Sequence, residues 1–198
     1  MKPEPASKDL QALVIGASAG AVEALLCILP SLPANYPLPV MIVVHLPPQS
    51  DSILASLLAS RCQIKVKEAE DKEPVCPGTA YLAPPNYHLL VEPDFRLSLS
   101  VDDPVLYSRP SIDVLFESAA DAYGNALTGV ILTGANSDGA RGLRAVSKAG
   151  GLALVQTPAS AEASAMPKAA LDACPAARAL TLPQIAEVLK TELPRRLR

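Results

Sequence analysis

The chain has 198 residues, of which 49% are hydrophobic and 19% charged, with a formal net charge of -3. That length fits one domain with a full core, and the composition excludes a disordered chain. There is no basic excess to bind nucleic acid, and no apolar run approaches the ~20 residues of a membrane span.

Met1 to Leu10 form a polar, proline-interrupted leader without the apolar stretch of a signal peptide, which points to the cytoplasm. The single domain then runs over residues 11–198. Leu13 to Ala17 reads as a buried parallel strand, and Gly20 to Leu32 as a helix with Val22, Leu25, Leu26 and Leu29 on its apolar face. Val40 to His45 is a second buried strand. Leu46-Pro47-Pro48 stops it, and Asp51 or Ser52 caps a helix reaching about Arg61. Ile64 to Ala69 is a short strand. Between Asp71 and Ser100 the texture changes: Tyr81-Leu-Ala, His88-Leu-Leu-Val and Arg96-Leu-Ser-Leu-Ser alternate around turn residues, which predicts an inserted antiparallel hairpin region.

Ser111 caps a helix to about Tyr123, stopped by Gly124-Asn125. Thr128 to Thr133 is a buried strand, Asp138 to Ala149 a helix, and Leu152 to Gln156 a strand. A short helix starts at Pro167, a last strand spans Ala179 to Leu182, and a last helix Pro183 to Leu193. The basic tail Arg195-Arg196-Leu197-Arg198 complements the dipole of that helix. Buried strands alternating with helices predict a doubly wound α/β fold, with a mostly parallel sheet and helices on both faces.

Such sheets do their chemistry at the carboxyl ends of their strands. Ser18, His45 and Asp138 each follow a predicted strand, and a serine, a histidine and an aspartate are the parts of a hydrolytic triad. Gly16-Ala-Ser-Ala-Gly20 fits G-x-S-x-G, a sharp strand-to-helix turn that exposes a nucleophilic hydroxyl. The helix behind it offers N–H groups and positive potential to an oxyanion. A dinucleotide loop fits poorly: Ser18 and Ala21 stand where it needs glycines, and His45 where it needs an acid. A phosphate loop would also need the lysine that is missing here. Asp138 doubles as a helix cap, and Asp113 and His88 suit structural or substrate-side roles. The order Ser, His, Asp differs from that of ordinary α/β-hydrolases, so that superfamily fits poorly. Cys27, Cys62, Cys76 and Cys174 contain no C-x-x-C pair and read as reduced thiols. Two histidines without clustered partners offer no metal site, and no cofactor is called for.

Six segments recur together in one family: Ile15-Gly-Ala-Ser-Ala-Gly20, Val44-His-Leu-Pro-Pro48, Ala80-Tyr-Leu-Ala-Pro84, Arg109-Pro-Ser-Ile-Asp113, Leu132-Thr-Gly134 with Ser137-Asp-Gly139, and Ala165-Met-Pro167. From Leu10 to Leu193 the chain closely resembles the catalytic domain of chemotaxis protein-glutamate methylesterases. The resemblance implies hydrolysis of glutamate methyl esters on the cytoplasmic helices of chemoreceptors, releasing methanol. It makes Ser18 the nucleophile, His45 the general base and acid, and Asp138 the residue that orients the imidazole. It also implies oxyanion donation from the backbone N–H groups of Ala19 and Ala135, and a substrate-side or rim position for Arg109 and Met166. The family pattern differs at Ala21, Val44, Ala135 and Asn136, and with about ten residues before the first strand the chain is expected to be either a stand-alone member without the receiver domain that commonly gates these enzymes or a catalytic domain cut from a longer protein. Two alternatives stand beside this expectation. One is a deamidase of protein glutamine, or an esterase on another protein; the other is a binding or scaffold protein that keeps the fold.

Overall fold

The structure, a computed structural model, describes residues 11–45 and 53–193. Its strands are β1 (Ala12–Ala17), β2 (Val40–Val44), β3 (Lys65–Glu68), β4 (Thr79–Leu82), β5 (His88–Val91), β6 (Leu97–Ser100), β7 (Leu127–Ile131), β8 (Leu152–Gln156) and β9 (Arg178–Leu180). The helices are α1 (Ala21–Ile28), α2 (Ile53–Ala59), α3 (Ile112–Tyr123), α4 (Ala140–Lys148), α5 (Ala165–Ala173) and α6 (Leu182–Glu187). The expected cap at Asp51 or Ser52, the Leu46-Pro47-Pro48 step, the leader and the basic tail lie outside the described residues.

Seven strands form one parallel sheet in the order β3-β4-β2-β1-β7-β8-β9. Both faces are covered, which is why the central strands are buried along their whole length and apolar except at Thr128 of β7. From β1, Leu13, Ile15 and Ala17 enter one core layer, where α1, α2 and α6 contribute Leu25, Leu58 and Ile185. Ala12 and Val14 enter the other, with Phe116 of α3, Val146 of α4 and Ala170 of α5. Among the described residues no helix is long and apolar enough to cross a membrane.

The expected antiparallel insert is smaller than the sequence suggests. Among the described strands β5 and β6 alone pair that way, as a two-stranded sheet, with an isolated antiparallel bridge from Pro74 to Arg96 beside them. The Tyr81-Leu-Ala segment, expected in the hairpin region, instead contributes to β4, a parallel strand between β3 and β2. All of β4 is buried. Tyr81 fits there because its hydroxyl is satisfied by the Cys76 N–H at 3.0 Å and the Pro74 carbonyl at 3.3 Å. Helix boundaries also move. Pro30 converts the end of the first predicted helix into a 3-10 turn over Leu29–Ser31. The helix expected from Asp138 begins at Ala140, because Gly139 turns the chain with φ 92°.

The sheet reverses direction at β1. The chain moves from β1 to β2 on one side and returns to β7 on the other. In register, Ala17 pairs with Val44 and Gly16 with Ile131. The carboxyl ends of the three strands that precede Ser18, His45 and Asp138 are therefore neighbours at a topological switch point, where open α/β sheets bind their ligands.

Candidate active site

Ser18 sits in the turn between β1 and α1. Its N–H donates to the Thr133 carbonyl at 2.9 Å, and its carbonyl accepts the Ala21 N–H at 3.0 Å. Gly20, with φ 78°, is the residue before the helix. A Cβ at Gly20 would lie 2.7 Å from Glu162 Oε2 and 3.0 Å from Thr133 Cγ2, so the turn needs glycine for space as well as conformation. Thr133 ties the turn to the next loop: its hydroxyl donates to the Ala19 carbonyl at 2.8 Å and accepts the Ala163 N–H at 2.9 Å. The Ser18 hydroxyl is half-buried and makes no hydrogen bond among the described residues.

His45 directly follows β2, and its N–H donates to the Ala17 carbonyl at 3.2 Å, which fixes it beside the Ser18 turn. Its side chain is 12% exposed, and Nε2 lies 2.8 Å from Asp138 Oδ2. With a proton on Nε2 facing the carboxylate, Nδ1 carries the free lone pair. Asn136 Nδ2 approaches that Nδ1 at 3.4 Å. Asn136, one of the positions at which the family pattern differs, reaches His45 because the loop after β7 lies beside the end of β2.

Asp138 is completely buried. It is not the cap of α4, as its position before that helix suggests, but a cap of α3 from outside. Its Oδ1 accepts the Ser111 hydroxyl at 2.9 Å and the Asp113 N–H at 3.0 Å. Its Oδ2 accepts the Ile112 N–H at 2.7 Å besides His45. Burial alone would push this carboxyl up. The hydrogen bond from His45 and those from the amides of Asp113 and Ile112 outweigh it, so the pKa falls below the ordinary carboxylate value. The first turn of α3 adds its own positive potential. Asp113 behaves in the opposite way: burial raises its pKa, against the Gly142 N–H donated at 2.7 Å, and the charge of Asp138 raises it further.

Ala19 and Ala135 are both exposed, in the loops after β1 and β7, and their N–H groups have no protein acceptor among the described residues. Arg109 lines a cavity of about 200 Å³ together with His45, Asn86, Tyr107, Ser108 and Pro110. Its Nη1 donates to the Val101 and Asp102 carbonyls at 2.8 and 3.1 Å, while its buried Nε has no partner among the described residues. Ser18 borders a separate hollow of about 280 Å³ with Val44, Glu23 and Glu162. Met166 departs from expectation. It is fully buried rather than on a rim, and its N–H donates to the Gly134 carbonyl at 2.9 Å. Its side chain packs so closely under Gly134 that a Cβ there would lie 2.6 Å from Sδ, so it supports the loop that carries Ala135 from below.

Among the described residues no group of three or more His, Cys, Asp or Glu side chains is placed to hold a metal ion, and all four cysteines are free.

Comparison with known proteins agrees with this fold. The family model for CheB methylesterase matches residues 13–189. A Leptospira interrogans protein, provisionally named a protein-glutamate methylesterase/protein-glutamine glutaminase, is 50% identical over 180 residues, covering 91% of this chain and 93% of that one. A Bradyrhizobium diazoefficiens protein-glutamate methylesterase/protein-glutamine glutaminase is 46% identical over 160 residues, 79% of this chain but only 44% of that longer protein. The crystal structure of the Thermotoga maritima CheB methylesterase catalytic domain superposes with a TM-score of 0.87 at 34% identity, covering 91% of this chain and 97% of that one. With a family model matched over nearly its whole length, a relative half identical to it and a shared fold, this chain belongs to the CheB methylesterase family.

Proposed function

We propose that this chain hydrolyses glutamate methyl esters on the cytoplasmic helices of chemoreceptors, releasing methanol, and that it does so in the cytoplasm with Ser18, His45 and Asp138. The observation that carries the reading is the 2.8 Å contact between His45 and a fully buried Asp138, held directly beside the Ser18 turn.

The chemistry follows from the groups present. Ser18 Oγ attacks the ester carbonyl carbon while its proton passes to His45 Nδ1, the nitrogen that Asp138 leaves free. The imidazolium that forms gains from Asp138, whose lowered pKa keeps it ionised. The N–H groups of Ala19 and Ala135 serve as donors to the oxyanion. On collapse of the tetrahedral adduct, the carbon–methoxy bond breaks and methoxide takes the proton from His45, leaving as methanol. Water, deprotonated by the same imidazole, then attacks the acyl-serine. The products are the glutamate side chain and regenerated Ser18. Ser18 Oγ makes no hydrogen bond to the imidazole among the described residues, and catalytic hydrogen bonds commonly tighten only in the substrate complex. Arg109, which lines the same cavity as His45, is assigned to the side that receives the polypeptide bearing the ester.

A second reading uses the same atoms on a different bond. Relatives carry the paired name methylesterase and glutaminase, and an amide differs only in releasing ammonia. The test is methanol and ammonia release from methylated and glutamine-bearing receptor membranes, comparing wild type with Ser18→Ala. Methanol release that disappears in the variant supports the proposal. Ammonia without methanol favours the glutaminase, and unchanged turnover in Ser18→Ala overturns the assignment of the nucleophile.

A further inference from the structure

Asp138 is held by the first turn of α3, and that turn is itself held from the hairpin on the far side. His88 opens β5, faces Ser100 across the hairpin, and is 1% exposed. Its Nδ1 lies 3.1 Å from the backbone N of Ser111. An amide N–H only donates, so this Nδ1 is the acceptor and the ring proton is on Nε2, which donates to the Asp103 carbonyl at 3.1 Å. Both ring nitrogens are engaged, and the tautomer is fixed by its partners.

Ser111 is the residue before α3 and is fully buried. A serine there ordinarily turns its hydroxyl onto the second or third amide of its own helix. This one makes no such bond. Its hydroxyl goes to Asp138 Oδ1 at 2.9 Å, and Asp138 takes the Ile112 and Asp113 amides that the serine leaves open. That exchange works only if the Ser111 backbone is aimed correctly and its buried N–H has an acceptor; His88 supplies both. The contacts run without a break from His88 Nδ1 to the Ser111 N–H, from the Ser111 hydroxyl to Asp138 Oδ1, and from Asp138 Oδ2 to His45 Nε2.

We propose that His88, acting through Ser111, is a positioning residue for the His45–Asp138 pair, so that the inserted hairpin sets the orientation of the site's carboxylate. The proposal rests on the reading of that pair as catalytic. Among the described residues the His88 ring bonds to neither Asp138 nor His45; its two partners are the Ser111 N–H and the Asp103 carbonyl.

Variants at His88 separate its two contacts. His88→Asn keeps an acceptor where Nδ1 stands, and so keeps the Ser111 bond. His88→Gln reaches only toward Asp103. Ser111→Ala keeps the backbone N–H and removes the hydroxyl. We expect His88→Gln and Ser111→Ala to lower kcat for ester hydrolysis between about tenfold and a hundredfold with KM little changed, because a small misplacement of a catalytic group has that effect. His88→Asn should stay within about threefold of wild type by the same reasoning.

A second measurement needs no substrate: nitrogen NMR titration of His45. Ser111→Ala and His88→Gln should move its titration in the same direction, while His88→Asn leaves it in place. Should His88→Gln fail to fold, His88→Asn and Ser111→Ala decide together: the proposal needs the first to keep wild-type kcat and the second to lose it. Wild-type kcat and an unmoved His45 titration in folded Ser111→Ala, or an equal loss in His88→Asn and His88→Gln, overturn the proposal. If wild type releases no methanol, the function reading fails, and the His45 titration still decides this one.

Discussion

Replacing Asp138 by asparagine tests how far one side chain serves both the fold and the chemistry. The carboxylate accepts from Ser111 Oγ, Asp113 N, Ile112 N and His45 Nε2. An amide has one acceptor end and one donor end. If its NH2 takes the Oδ2 place, the Ile112 N–H faces a donor; if it takes the Oδ1 place, the Asp113 N–H does. Either way one buried backbone N–H loses its acceptor, at about 1–3 kcal/mol, and the remaining bonds lose their charge-assisted strength. The expected total is about 2–5 kcal/mol, a fall in Tm of roughly 5–15 °C for a domain of this size. With NH2 toward His45, the imidazole must put its proton on Nδ1 and cannot act as the base, so turnover falls by about 10³–10⁴. Calorimetry and methanol release on the same preparations measure both effects. Ser18→Ala is the control: it should abolish turnover while leaving Tm nearly unchanged. The pH dependence has a definite sign. The folded pKa of Asp138 is lowered, so its stabilisation is complete above the unfolded value of about 3.9 and is lost as pH falls through the folded value. The gap between wild type and Asp138→Asn should therefore shrink on acidification. Equal Tm values for the two proteins at pH 7 would refute the reasoning.

Asp113 presents the opposite case. Its folded pKa is raised by burial and by the neighbouring Asp138 charge, so its ionised form costs stability above that value and the cost is relieved as pH falls through it. Asp113→Asn, which can keep an acceptor for the Gly142 N–H, should be as stable as wild type or more so at pH 7; a clear fall in urea midpoint would count against this. Thr133→Val keeps the shape but strands the Ala163 N–H and one hydrogen bond of the Ala19 carbonyl, which should cost about 1–3 kcal/mol in chemical denaturation and slow labelling of Ser18 by a covalent serine probe. Gly20→Ala forces φ 78° on a residue with a Cβ and presses that carbon against Glu162 and Thr133; it should reduce kcat more than KM, and a fully active variant would show that the turn tolerates the change.

Much of the site was legible in the sequence, and the reasons are local. A buried parallel strand is mostly apolar, so β1, β2, β7 and β8 announce themselves, and the loop that follows each opens at the sheet edge by construction. That is enough to pick out Ser18, His45 and Asp138 as candidates. Where the sequence misled, the cause was a partner distant along the chain. Tyr81 alternates like a hairpin residue, yet its strand is captured between β3 and β2, because a fully buried sheet position needs only that the phenol tip be satisfied. Met166 lies in a family motif and so suggested contact with substrate, but it sits beneath Gly134.

What the sequence determined by itself was the set of elements and the chemical groups at their ends, since hydrophobic period and turn chemistry depend on near neighbours. Only the tertiary structure decided how those groups are joined. Asp138 caps a helix that begins 26 residues away, Asn136 faces His45 across 91, and His88 reaches Ser111 across 23. No local rule encodes such pairings. They follow from the strand order β2-β1-β7, which brings three loops to one edge, and from the need of every buried donor at the start of α3 to find an acceptor there.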